Sequence, residues 1–206
     1  MPEALLALHS SAADLGVGLR WLDGSAPDVL HTAAAGRDLS NHLLTSIEEV
    51  FPARQWPQLV RLAVATGPGG FTSTRLTVVL ARTLAQQLQL PLQGVSSQAL
   101  AARRLALTEP TWLVQELPRR GLVAGLYAPH PSEAGEVEER LAPRLYADAE
   151  ALTAVAPAAP QLPAEDDVRA DVAALLAVAT RAHRQQRPAP WQEVLPIYPT
   201  SPVALR

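Results

Sequence analysis

The chain contains no cysteine, no lysine and no long apolar run. Without cysteine, disulfide frameworks, thiolate metal sites and cysteine nucleophiles are excluded. All 17 basic residues are arginine, which excludes Walker A phosphate binding and Schiff-base catalysis, because both need a lysine amine. No apolar run approaches the ~20 residues of a membrane span, and the first residues carry no basic segment. We therefore expect a cytoplasmic protein that makes no membrane contact.

Charge and composition favour an ordinary globular chain. The formal net charge is −3 and no long run of one sign occurs, so the chain by itself is not expected to present a nucleic-acid surface. Hydrophobic residues make up 48% of the 206 residues, enough for a sizeable core. This length fits one large domain or two small ones.

In the first half, short apolar runs alternate first with turns and then with helical patterns. Strands are predicted in the runs ALLAL, LGVGLRWL and VLHTAA, as an antiparallel meander, and then at 59–65 and in PLQGV. A helix capped by Asp38 or Ser40 is predicted to run to Phe51, and a second one, capped by Thr72 or Ser73, from about 75 to 88. A third helix is predicted in SSQALAARRLAL. The order predicts an α/β fold in which part of the sheet is parallel.

The second half shows strand patterns first and one strong helix later. TWLVQEL and GLVAGLYA are predicted strands around the turn PRR, and EVEERLAPRL is a third candidate. A short helix is predicted to begin at Asp148 or Glu150 and end at Val155, followed by a loop in APAAPQLPAE. A clear helix spans 167–186, and the proline-punctuated end is expected to be an extended tail. We predict two domains, 1–108 and 109–206.

The stretch VATGPGGFTSTR places three glycines between a predicted strand and a predicted helix, the layout of a phosphate-binding loop. The alternative is a tight structural turn in which glycine supplies unusual backbone angles. The absence of lysine, and the N–H donor that Pro68 removes, favour the structural turn. If the loop is a vestige of a phosphate site, its residues are Gly67, Gly69, Gly70, Thr72 and Arg75.

Five histidines offer no metal-site spacing, because no two of them lie three or four residues apart. No G-x-S-x-G nucleophile elbow occurs either. The carboxylate cluster EVEER is more typical of a solvated face. We therefore predict no metal, no cofactor and no catalytic residue.

Several segments together resemble one family. ATGPGGFTSTRL is similar to the GPGSFTGLRIG signature of the bacterial tRNA threonylcarbamoyladenosine biosynthesis family TsaB, also called YeaZ. In the same order, LLALHSSAADLGVGL, LSNHLLTSIEEVF, LPLQGVSSQALA, RRGLVAGLYA and VLPIYPTSP resemble further family segments. The resemblance to the family segments is good over residues 5–102 and weak in the rest of the chain. It departs from the family at His9, where the family has an aspartate that lies beside metal and phosphates in active relatives of the fold.

The resemblance implies an actin-like, Hsp70-like and sugar-kinase-like fold of two ribonuclease-H-type lobes. It also implies a non-catalytic subunit that pairs with a TsaD-like catalytic subunit. With a TsaE-like ATPase, the complex attaches a threonylcarbamoyl group to adenosine 37 of tRNA, and tRNA is reached only through the complex. In the family, the same two helices of the first lobe form the partner interface and a homodimer when the chain is alone.

The two corresponding helices here carry apolar stripes at helical spacing. Residues predicted for the partner interface are Leu39, Leu43, Ile47, Leu76, Val79, Leu80 and Thr83. The alternative is that both stripes are simply core. Two other functions stay open: an ATP-dependent phosphotransferase or peptidase of the same fold, and a structural homodimer that has no catalytic partner.

Overall fold

The computed structural model describes residues 2–34 and 39–199, and the chain divides into two compact units. The first comprises Met1–Ser97 and Asp167–Pro196, and the second comprises Gln98–Asp166 and Ile197–Arg206. The predicted division into 1–108 and 109–206 is therefore corrected, because the chain returns to its first unit near residue 167. Asp38, one of the two predicted caps, and the tail from residue 200 lie outside the described residues.

A mixed five-stranded sheet forms the centre of the first unit. Its strands are β1 (Ala4–His9), β2 (Asp14–Trp21), β3 (Val29–Ala34), β4 (Leu59–Ala65) and β5 (Leu92–Val95). They lie in the order β3-β2-β1-β4-β5. The first three strands pair antiparallel, as the predicted meander requires, whereas β1 with β4 and β4 with β5 pair parallel. Parallel pairing brings the carboxyl ends of β1, β4 and β5 to one edge of the sheet.

Three helices follow strands of this sheet: α1 (Leu39–Val50), α2 (Phe71–Leu88) and α3 (Ser97–Arg104). Helix α2 begins four residues earlier than predicted. Its N-cap is Gly70, which makes no side-chain cap hydrogen bond, so neither Thr72 nor Ser73 is the cap. Ser40 is likewise inside α1 rather than at its cap. Helix α2 therefore begins directly after the last glycine of the loop.

The second unit contains a four-stranded sheet, a short helix and, from Gln98 onward, the helix α3. Its elements are β6 (Thr111–Leu117), β7 (Gly121–Pro129), β8 (Val137–Tyr146), α4 (Ala149–Val155) and β9 (Gln161–Pro163). The strand order is β8-β7-β6-β9, with β9 parallel to β6. This repeats the first four positions of the first sheet, including a helix between the third strand and the parallel fourth. Strand β9 lies in the segment that the sequence predicted as loop, because its prolines hide an edge strand.

The last helix, α5 (Val168–Arg184), packs on the first sheet. Leu15 and Val17 of β2 face the core with α1 and α2, so the alternating glycines Gly16 and Gly18 face the other side. A Cβ at Gly16 would lie 2.5 Å from Val172 Cγ2, and one at Gly18 would lie 2.4 Å from Val172 Cγ1. The two glycines therefore let α5 approach the strand closely. Asp167 caps this helix by accepting a hydrogen bond from Ala170 N.

Arg61 is the single charged residue in the otherwise apolar strand β4. Its side chain is buried and its Nη2 donates to the carbonyl of Arg187, just beyond the end of α5, at 2.6 Å. A cation is favourable at the carboxyl end of a helix. Burial lowers the pKa of Arg61. The charge thus helps to hold the returning helix.

Each unit has its own hydrophobic core. In the first, side chains of the sheet pack against α1 and α2, with Leu43, Ile47 and Phe51 among the buried residues. In the second, Trp112 packs edge-on against Tyr146, with ring centroids 5.4 Å apart. None of the helices in the described part of the chain combines the length and hydropathy that a membrane span needs.

Candidate functional site

The carboxyl edge of the first sheet is the place where an α/β fold of this kind would bind a ligand. Three segments meet there: the turn after β1, with Ser10 and Ser11; the glycine loop after β4; and Ser97, at the start of α3 after β5. These segments are in direct hydrogen-bonding contact. Their contacts therefore indicate whether the glycine loop is free to bind a phosphate or is used to hold the fold together.

Backbone hydrogen bonds close the glycine loop against its neighbours. Gly70 N donates to the carbonyl of Ser11 at 2.8 Å, and Ser97 N donates to the carbonyl of Gly67 at 2.8 Å. A Cβ at Gly69 would lie 2.1 Å from Ser11 O. Glycine is needed here because the backbone of the turn after β1 lies where a side chain would begin.

The hydroxyl side chains at the same edge form buried hydrogen-bonded pairs. Ser10 Oγ lies 2.6 Å from Thr77 Oγ1 and also donates to Ser73 O, while Ser11 Oγ lies 2.6 Å from Ser97 Oγ. Ser10, Ser11, Thr77 and Ser97 are all buried. Their hydrogen bonds hold α2 and Ser97 to the turn after β1, so the edge is a structural joint.

His9 ends β1 at this edge and is fully buried. Its Nε2 lies 3.6 Å from Oδ2 of Asp171, a buried residue in the first turn of α5. The sequence singled out His9 but missed Asp171. The signal was present, because Asp171 stands one turn after Val168 and one turn before Leu175, on the apolar stripe of its helix.

The residues present do not fit a magnesium–phosphate group. Magnesium is held by oxygen ligands and water, whereas the described residues contain no cluster of three His, Asp or Glu that could hold a metal ion. The loop amide of Gly70 is already used by Ser11. Thr72 and Arg75, the other predicted loop residues, are exposed on the first turns of α2 and lie outside this network.

The predicted partner interface is wrong for α1. Leu39, Leu43 and Ile47 are only 3%, 3% and 0% exposed and belong to the core between the helices and the sheet. Their spacing was that of a helix face, but the face packs on its own sheet. Of these residues, none is available to a partner in the folded chain.

The predicted interface residues of α2 are accessible. Val79 is 49% exposed, Thr83 is exposed, and Leu76 and Leu80 are half-buried. On α1, which packs beside α2, Leu44 is 50% exposed. We call Leu44, Leu76, Val79, Leu80 and Thr83 the partner face. At the amino ends of the two helices, a cleft of about 400 Å³ lies beside it, lined by Leu39, Ser40, Gly70, Phe71, Thr72, Ser73 and Leu76.

Comparison with known proteins agrees with this architecture. The family described as TsaD, tRNA N6-adenosine threonylcarbamoyltransferase, matches residues 31–123. The crystal structure of an uncharacterized protein with similarity to peptidase YEAZ from Pseudomonas aeruginosa has a TM-score of 0.71 at 19% identity, covering 96% of this chain and 100% of that one. YeaZ from Pseudomonas aeruginosa has a TM-score of 0.70 at 18% identity, covering 95% and 99%. No curated protein sequence matches the chain.

These comparisons confirm the predicted fold class. Both structures are matched over almost their whole length, so the chain has the two-lobed, actin-like, Hsp70-like and sugar-kinase-like α/β architecture that the sequence resemblance implied. The family match and the two structures also support the resemblance to TsaB (YeaZ) proteins. The family match covers both helices of the partner face.

Proposed function

We propose that this chain is a non-catalytic, TsaB-like subunit of a tRNA-modifying complex. In this proposal it binds a TsaD-like catalytic subunit through the partner face, a TsaE-like ATPase completes the complex, and tRNA is contacted only through the complex. The family match over residues 31–123 and the YeaZ-like fold support a role in tRNA modification. Such a role would place the chain in the cytoplasm.

The exposure of apolar side chains on neighbouring helices carries this proposal. Leu44 and Val79 are each about half exposed, and the half-buried Leu76 and Leu80 join them to the core. Burying a Leu or Val side chain contributes about 1.5–3 kcal/mol relative to leaving it in water. A few such residues on two adjacent helices suit a partner that offers a matching helix pair.

The closed carboxyl edge is consistent with a subunit that does no chemistry of its own. The loop that would hold a phosphate hydrogen-bonds to the turn after β1, and the serines nearest to it are buried and paired. A phosphotransferase needs that loop to be open. A peptidase needs an accessible nucleophile, so Ser10 and Ser11 are poor candidates.

The experiment compares two valine substitutions of matched exposure. Val79→Glu places a charge on the partner face, whereas Val155→Glu places one at the end of α4, where the valine is 47% exposed. Each variant is tagged, expressed with a TsaD-like subunit from the same cell and purified by the tag. We expect Val155→Glu to retain the subunit and Val79→Glu to lose it, with circular dichroism spectra unchanged.

Sedimentation velocity of the isolated chain separates the remaining alternative. If the chain is a structural homodimer without a catalytic partner, Val79→Glu abolishes self-association but wild type captures no TsaD-like subunit. Retention of the subunit by a folded Val79→Glu would overturn the proposed face.

A further inference from the structure

A buried histidine–aspartate pair joins the first strand to the last helix. His9 is 0% and Asp171 2% exposed, and His9 Nε2 lies 3.6 Å from Asp171 Oδ2. The two residues are far apart in the sequence and meet where β1 ends and α5 begins. Gly16, whose Cβ would meet Val168 and Val172, allows α5 to approach this closely.

A carboxylate in such a position needs a compensating positive charge. Transfer of an isolated ionised carboxylate from water to a protein interior is costly, and the cost is reduced when a cation lies next to it. In magnesium sites the metal supplies that charge and oxygen atoms of the protein surround it. An aspartate at position 9, as in the family that the sequence resembles, would place two carboxylates side by side here.

We infer that the His9 ring takes the place of a divalent cation at this edge. When protonated, the ring is the positive charge next to Asp171, and the pair ties α5 to β1 without a metal. We call this the exchange: the corner that an ion could stabilise is stabilised by the chain's own side chains. This inference concerns the carboxyl edge and is independent of the partner proposed for α1 and α2.

The substitution His9→Asp tests the exchange directly. It replaces the ring by a carboxylate and leaves two acidic side chains facing each other, an arrangement that oxygen-seeking cations stabilise. We expect the melting temperature of His9→Asp to fall in EDTA and to rise again with millimolar Mn²⁺ or Mg²⁺. His9→Asn is the matched control, since it is similar in size but adds no charge, and it should show no ion response.

The melting temperature of the wild-type chain provides a first test that could overturn the inference. Its melting temperature should be the same in EDTA and in Mn²⁺ or Mg²⁺, because His9 already supplies the charge. A rise with either ion in wild type, abolished by Asp171→Asn, would show that the edge still binds a metal. A His9→Asp chain that folds but gains nothing from either ion would also contradict the exchange.

A mutant cycle keeps the inference testable if His9→Asp fails to fold. His9→Gln leaves the Asp171 carboxylate without its cation, whereas His9→Gln with Asp171→Asn removes both charges. We expect the single His9→Gln variant to melt at a lower temperature than the double variant. If the two substitutions instead lower the melting temperature additively, the ring is not the counter-charge of Asp171.

Discussion

The carboxyl edge of the first sheet and the partner face of α1 and α2 differ in solvent exposure, and the difference is the opposite of what their composition suggests. The edge contains serines, a histidine, an aspartate and a glycine-rich loop, yet its serines pair with other hydroxyl groups of the chain, and the serine, histidine and aspartate side chains are buried. The partner face is mainly leucine and valine, yet much of it is exposed. In this protein, polarity therefore marks a structural joint, and exposed apolar surface marks the candidate binding site.

Two neighbouring residues of α1 give the largest expected contrast. Leu43 is buried in the core and Leu44 is half exposed, so they test burial on one helix with almost the same backbone. Leu43→Glu should cost at least about 4 kcal/mol of unfolding free energy, because it places an unpaired charge in the core. Leu44→Glu should change stability by less than about 0.5 kcal/mol and weaken association.

Urea unfolding followed by circular dichroism, together with sedimentation velocity, would measure both effects. A Leu43→Glu chain that stays folded and monomeric would restore Leu43 to the interface. A destabilised Leu44→Glu chain would mean that the partner face is part of the core.

The glycine loop gives the next contrast. At Gly69 a Cβ would meet the Ser11 backbone oxygen at 2.1 Å, whereas at Gly70 its nearest contact is the movable Ser73 Oγ at 2.5 Å. We expect Gly69→Ala to cost about 3 kcal/mol and Gly70→Ala about 1 kcal/mol or less. Thermal and urea unfolding would check the ranking. Equal losses of stability in the two variants would indicate that the backbone around Gly69 can move to accept a side chain.

Hydroxyl pairing at the edge should contribute less. Ser11→Ala leaves the buried Ser97 hydroxyl without its partner and should cost about 1–2 kcal/mol. Adding Ser97→Ala should cost little more, because no buried hydroxyl is then left over. Ser132→Ala, at an exposed turn, is the control. Additive losses in urea unfolding would argue that Ser11 and Ser97 act separately.

Arg75 should give the smallest effect. Its side chain is exposed on α2, so Arg75→Ala should change stability by less than about 0.5 kcal/mol. Magnesium with ATP should leave the melting temperature of wild type unchanged, whereas a ligand at a hundredfold its dissociation constant would stabilise by about 2.7 kcal/mol. A thermal shift that Arg75→Ala removes would mean that the loop binds nucleotide after all.

Local patterns predicted most elements of the first unit. The meander, the parallel strands, α1 and α2 follow from apolar periods of 2 and 3.6 residues, and the helix predicted at 167–186 is α5, Val168–Arg184. Strand β9 was missed because Gln161, Leu162 and Pro163 carry no strand pattern and are ordered by pairing with β6. The start of α2 was misplaced because Gly70, not a hydroxyl side chain, precedes it.

The candidate site was predicted only in part. The resemblance directed attention to two helices that expose apolar side chains, but helical spacing cannot tell which side of an amphipathic helix packs on its own sheet. Leu39, Leu43 and Ile47 were therefore assigned to the wrong surface, and Leu44 was passed over. The place of Asp171 on an apolar stripe was a signal of burial that was overlooked, and its pairing with His9 is visible only in the folded chain.

The sequence by itself excluded chemistry that needs cysteine or lysine, predicted the α/β alternation and favoured a structural role for the glycine turn. These depend on residue identity and on neighbours within one or two helical turns. Tertiary structure alone decided that the last helix returns to the first unit, that the carboxyl edge is closed, and which leucines are exposed. Those properties depend on contacts between residues far apart in the chain, where packing and desolvation override local preference.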